Sequence, residues 1–266
     1  MIIKKIRRKI RFSVWIPRHI SRIPKLSESV ISDLFPLRIA ENWKTHFELL
    51  DVQGLIAGDN SFGGNKSARF VFFDEEGDQV GEKLCLTPTS GRSTIELSSE
   101  FHPSISTAAT FAVFHEGAIE NLDLEESFLA ERGYTCYSRL NSEIRAYVHG
   151  NFDSLAYKKG KIQAIGNKGF LPRFYTVQHP LRGPAKYEFF LSNPTPRSVK
   201  VKIFHGAEDK KWCEIERFKL RSKGSRIFKV DKSDDKATFI RIRSQFYLGR
   251  PVVFRSSGRG LDVFHG

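Results

Sequence analysis

Four of the eight histidines in this 266-residue chain share one context. Each follows an apolar or aromatic pair: Val113-Phe114 before His115, Tyr147-Val148 before His149, Ile203-Phe204 before His205, and Val263-Phe264 before His265. Imidazole is a ligand for zinc, copper, iron or nickel, and Asp153 and Asp209 stand nearby in the sequence. A metal-dependent enzyme is therefore one reading, with His115, His149, His205 and His265 as ligands. The spacing argues against it. The chain has no His-Glu-x-x-His, no close His pair and no Cys/His spacing of a zinc site. Histidines that hydrogen-bond where a strand meets a turn are the simpler expectation, and no metal, cofactor or catalytic residue is assigned.

Other catalytic templates fare no better. There is no Gly-x-Ser-x-Gly elbow, no Walker loop and no dinucleotide fingerprint. Cys85, Cys136 and Cys213 are too few for a disulfide framework and suit a reducing, cytoplasmic setting. Cys136 and Cys213 read as core residues. Glu48 and Glu188 recur in similar contexts, each beside an aromatic. They read as ion-pair partners of Arg38 and Arg182 rather than as catalytic carboxylates.

The elements that carry these residues are strands. Val199, Val201 and Ile203 alternate with Lys200 and Lys202; Phe218 and Leu220 with Arg217, Lys219 and Arg221; Ile240 and Ile242 with Arg241 and Arg243. Period-two alternation over short runs is the pattern of half-buried strands. Asn193-Pro194, Gly206, Lys223-Gly224 and Asp234-Asp235 punctuate them as turns. Blocks also recur in order. Pro36-Leu37-Arg38 matches Pro180-Leu181-Arg182, Thr110–Phe114 matches Thr238–Ile242, and Arg145–Gly150 matches Leu261–Gly266. The apolar strand ending in Asn-Pro, the Val-x-Val strand and the Leu-x-x-x-Gly-Ser strand resemble those of immunoglobulin-like and fibronectin-like modules. That resemblance implies a fold and no activity. The expected architecture is all-β: two tandem antiparallel β-sandwich domains from an internal duplication, preceded by a basic amphipathic N-terminal segment. The boundaries read as 1–34 for that segment, 35–150 for an acidic first sandwich, 151–178 for a connecting hairpin and strand, and 179–266 for a basic second sandwich. Residues 118–131 read as an insertion with a helical turn or two.

Charge points to the kind of partner. The net charge is +13, and it is unevenly spread: +9 over residues 1–25, −9 over 35–150 and +11 over 179–266. Lys4, Lys5, Arg7, Arg8, Lys9 and Arg11, with Trp15, suit contact with an anionic membrane surface. No apolar run approaches the roughly 18 residues needed to cross a bilayer. In the basic half, Lys200, Lys202, Arg217, Lys219, Arg221, Arg241 and Arg243 are expected to share one sheet face, with Trp212 as an aromatic platform. Such a face suits an anionic membrane or an anionic glycan. Nucleic acid fits less well, because base stacking needs exposed aromatics, and Phe218, Phe228 and Phe239 alternate out of phase with the cations; Trp212 and Tyr247 remain. A peripheral docking protein without catalysis is the leading expectation. The metal-dependent enzyme is one alternative. The other is self-assembly into a homo-oligomer, with acidic and basic halves pairing.

Overall fold

The computed structural model describes residues 29–52, 67–88, 91–97, 108–116, 129–131, 133–150, 153–207, 211–246, 250–258 and 260–266. The basic segment's Lys4 to Trp15 contacts, residues 118–128 of the expected insertion, and Tyr247 lie outside these. About 67% of the described residues are in strands. The strands are β1 (Val30–Ser32), β2 (Phe35–Leu37), β3 (Trp43–Leu50), β4 (Ser67–Phe73), β5 (Gln79–Leu86), β6 (Arg92–Leu97), β7 (Ala109–Glu116), β8 (Leu129–Glu131), β9 (Tyr134–Arg139) and β10 (Arg145–His149). They continue with β11 (Leu155–Lys158), β12 (Lys161–Ala164), β13 (Lys168–Thr176), β14 (Ala185–Ser192), β15 (Val199–Gly206), β16 (Cys213–Leu220), β17 (Ser225–Lys232), β18 (Phe239–Phe246), β19 (Val252–Ser257) and β20 (Gly260–His265). Leu129–Glu131, expected as part of a helical insertion, is a strand paired parallel to β1.

The all-β expectation holds, but the two tandem immunoglobulin-like sandwiches do not. The strands form five separate four-stranded sheets, arranged as a five-bladed β-propeller. Sheet I has the order β12-β11-β1-β8, sheet II β2-β7-β4-β5 and sheet III β10-β9-β3-β6. Sheet IV has the order β17-β14-β19-β20 and sheet V β13-β18-β15-β16. Sheets II and V share a connectivity, as do III and IV, and that is where the recurring sequence blocks lie. The recurring blocks do not mark a tandem repeat of two domains: the strands form one set of five blades.

Packing explains the correction. A sheet of a free-standing sandwich buries one face. Sheet II buries two: Phe70, Phe72, Phe111 and Val113 face Phe47 and Leu49 of sheet III, while Val71, Phe73, Ala112 and Phe114 face Val30 and Leu155 of sheet I. Sheet IV does the same. Tyr187, Phe189, Phe228 and Val253 meet Val201, Ile203 and Ile242 of sheet V. From its other face, Phe190, Phe254 and Val263 pack on Trp43, Tyr137 and Val148 of sheet III. Burial of apolar area at about 25 cal/mol per Å² is the main driving term, and four apolar clusters link the sheets in the order I, II, III, IV, V.

Turn chemistry supports this. Lys159 (φ 49°) and Gly160 (φ 76°) join β11 to β12, the two-residue left-handed turn that matches strand twist. Asn193 is fully buried and acts as a hub. Its amide donates to the carbonyls of Arg197, Leu220 and Arg221, and its oxygen accepts from Thr195. At the turn between β4 and β5, Gly77 (φ 85°) lies against the backbone of Ser222 and Gly224. Ser225 N donates to Glu75 O there at 2.9 Å, so sheet II abuts the connection between sheets V and IV.

Candidate anion-docking face

Sheet V buries Val199, Val201, Ile203, Ile240 and Ile242, and the intervening positions point the other way. Register makes the consequence definite. Lys200 lies opposite Lys219, and Lys202 opposite Arg217 on one side and Arg243 on the other. Phe204 lies opposite Arg241, which in turn lies opposite Thr176, and Arg243 opposite Phe174. Directly paired residues share a sheet face. Lys200, Lys202, Arg217, Lys219, Arg241 and Arg243 therefore occupy one surface, as their alternation implied.

Trp212 belongs to it as expected: the Arg241 guanidinium stacks 3.9 Å above its ring. Two aromatic members escaped the sequence reading. Phe174, 58% exposed, lies 5.7 Å from Phe204, and Arg241 and Arg243 flank it at 5.7 and 5.4 Å. Phe204 has the same parity as Lys200 and Lys202, so alternation alone could have found it. Phe174 was hidden by a register shift between Lys168 and Arg173. Along the same edge strand, Phe170 and Leu171 are 75% and 56% exposed.

Facing like charges across strands costs stability, and the face offsets it sparingly. Glu214 bonds Arg217 at 2.7 Å and Lys202 at 2.8 Å. Arg217 first, then Lys202, pull the Glu214 carboxyl down to about 2. Lys200, Lys219, Arg241 and Arg243 have no ion-pair partner among the described residues.

Arg221 departs from the expectation. Its guanidinium turns to the β4–β5 turn, 3.2 Å from Asp78 and 3.8 Å from Glu76. Lys223 beside it lies over the Phe73 ring at 4.7 Å. Here acidic and basic regions meet within one molecule.

The four strand-end histidines do not converge. His115 is buried against Glu131 at 2.5 Å. Burial first, then Lys232, lower the pKa of His205. Only His149 and His265 meet, with ring centroids 5.0 Å apart. His265 Nε2 donates to the His149 carbonyl at 2.8 Å, and burial pushes its pKa down to about 4. Among the described residues, no group of three or more His, Cys, Asp and Glu side chains is placed to hold a metal. The carboxylate pairing is also rearranged. Glu188 bonds Arg38, not Arg182, at 2.6 Å; Glu48 accepts from Thr94 at 3.1 Å and lies 3.8 Å from Arg92. Cys136 is buried, but Cys213 is exposed rather than in a core.

No family model matches the chain, and no curated protein matches it. Among solved structures, it is similar to those titled "Structure of infectious bursal disease virus Gx strain" (8% identity, TM-score 0.16, 88% of this chain and 55% of that one) and "Structure of infectious bursal disease virus Gt strain" (9%, 0.13, 83% and 54%). The chain spans about half the length of these viral chains, and likeness at that level carries no argument about fold or function.

Proposed function

We propose that the chain is a peripheral docking protein that engages an anionic lipid surface through the outer face of sheet V. The observation that carries this reading is the register itself: Lys200 facing Lys219, and Lys202 flanked by Arg217 and Arg243. A rigid surface that holds like charges in apposition is relieved by an anionic counter-surface. Each Lys or Arg near an anionic membrane contributes on the order of 1 kcal/mol. Exposed Phe174 lies against Arg241 and Arg243, and Phe170 and Leu171, exposed on the same edge strand, supply further apolar side chains for the headgroup boundary.

The test is co-sedimentation with phosphatidylserine/phosphatidylcholine vesicles at low salt. Reversing Arg217, Lys219 and Arg241 to Glu removes about 3 kcal/mol on that scale, roughly 100-fold in partitioning. Binding should also weaken as salt shortens the screening length to about 8 Å at physiological ionic strength. Unchanged vesicle binding by the triple variant refutes the proposal. So does a wild-type protein that ignores vesicles while binding heparin or oligo-uridylate.

A further inference from the structure

The geometry points to a second anion site, separate from sheet V: a cleft that accepts the phosphate group of a small phosphomonoester. The cleft has a volume of about 650 Å³ and opens between edge strand β10 of sheet III and strands β19 and β20 of sheet IV. Three arginines, Arg145, Arg182 and Arg255, are among its lining residues, together with His179. Among the described residues its one lining carboxylate, Asp262, is already engaged, 2.8 Å from Arg255. The three arginines thus exceed the available carboxylate by two charges.

Two of these cations sit on a built scaffold. The Tyr187 hydroxyl, in a residue only 2% exposed, accepts from Arg182 N at 3.0 Å and donates to Arg182 O at 2.7 Å. That pair of bonds fixes the backbone from which the Arg182 side chain departs. Thr45 makes the same pair with Arg38, at 2.9 and 2.7 Å. There, however, the guanidinium is buried against Glu188, whereas Arg182 is exposed and, among the described residues, its guanidinium bonds a carbonyl, Asp235 O, at 3.4 Å. Asp262 first, and then Tyr187, hold Arg255 in its charged form. Arginine presents a planar fork that matches phosphate oxygens. Convergence of several forks in one concavity is the arrangement that takes a dianion.

The cleft also has an apolar part. Phe264 meets the His179 ring edge-on, with centroids 4.8 Å apart, and Leu261 and Val263 line the cleft beside it. An organic body attached to the phosphate would lie there, so an aryl phosphomonoester should bind more tightly than inorganic phosphate.

The test is calorimetric titration of the full chain at low salt with phenyl phosphate, inorganic phosphate and phenol. The expected order of affinity is phenyl phosphate, then phosphate, with phenol not binding. Arg145→Gln with Arg182→Gln should weaken phenyl phosphate at least 10-fold while leaving the thermal melt in place, since both side chains are exposed. Adenosine monophosphate and a phosphotyrosyl tripeptide, compared next, tell a free metabolite from a phosphorylated protein side chain by which binds more tightly. Reversal of Arg217, Lys219 and Arg241 on sheet V should leave phenyl phosphate binding within twofold, which keeps this site distinct from the docking face. Phenyl phosphate that fails to bind, or that binds the double variant as well as the wild type, overturns the inference. So does phenol binding as tightly as its phosphate ester.

Discussion

Glu188→Gln should be far more damaging than Arg38→Met, although both break the same ion pair. Arg38 is 1% exposed, and its guanidinium lies 2.6 Å from Glu188. It stacks 4.5 Å from the Trp43 ring and 5.0 Å from Phe254. Removing the carboxylate strands a buried cation, a change that costs about 3–5 kcal/mol. Removing the cation is milder. Glu188 keeps Lys229 at 3.5 Å and is 14% exposed, so it retains a partner and some water. A methionine also refills the slot beside Trp43. The expected cost is about 1–2 kcal/mol. The double variant Arg38→Met/Glu188→Leu should recover most of the loss, because buried ion pairs are often replaceable by apolar groups. Urea unfolding followed by tryptophan fluorescence reads this directly. With a slope of about 3 kcal/mol per molar, Glu188→Gln should lower the midpoint by about 1 M. A Gln variant unchanged in midpoint, or an Arg38→Met variant worse than Glu188→Gln, would refute the reasoning.

Acid should act partly through His265. Its folded pKa of about 4 is below the ordinary value near 6.5, so between these values the unfolded chain binds more protons. The contribution is complete above pH 6.5 and is lost as pH falls toward 4. Discounted for its partial exposure, the loss is about 2 kcal/mol, and His265→Gln should flatten the stability profile between pH 6.5 and 4.5. An unchanged slope would show that His265 does not carry it. Gly77→Ala should destabilise by at least about 2 kcal/mol, since a Cβ there would run into the backbone of Ser222 and Gly224 at a φ of 85°; thermal denaturation measures it, and a neutral result would mean that this junction is loose.

What could be read from sequence was the chemistry of single strands. Lys200/Lys202, Arg217/Lys219 and Arg241/Arg243 each alternate with apolar residues, and alternation fixes a face once one side is buried. The arrangement of sheets was harder to see, because it depends on what covers the second face. One signal was present. Thr110–Phe114 is an unbroken buried run, whereas its recurring counterpart Thr238–Ile242 alternates. Continuous burial marks a strand covered on both sides, which an isolated sandwich does not provide. The exchange of ion-pair partners, with Arg38 reaching Glu188 across two sheets, could not be foreseen for the same reason: it depends on sheet IV meeting sheet III. The cleft was equally hidden, since its walls come from segments near residues 145, 180, 255 and 262.

The backbone bond from Ser225 to Glu75 has a mechanical consequence. Sheet V is held by sheet IV across a shared apolar core, and the turn that joins the two, at Ser222 and Gly224, is pinned to the β4–β5 turn of sheet II, with Arg221 3.2 Å from Asp78. A flap hinged on one neighbour could tilt as it settled on a surface, but a blade whose connecting turn is also pinned cannot. A molecule resting on a bilayer through Arg241 and Phe174 would therefore hold its remaining blades at one fixed attitude. Whatever approaches the arginine-lined cleft would meet it at a set height and angle above the lipid, as on a gantry.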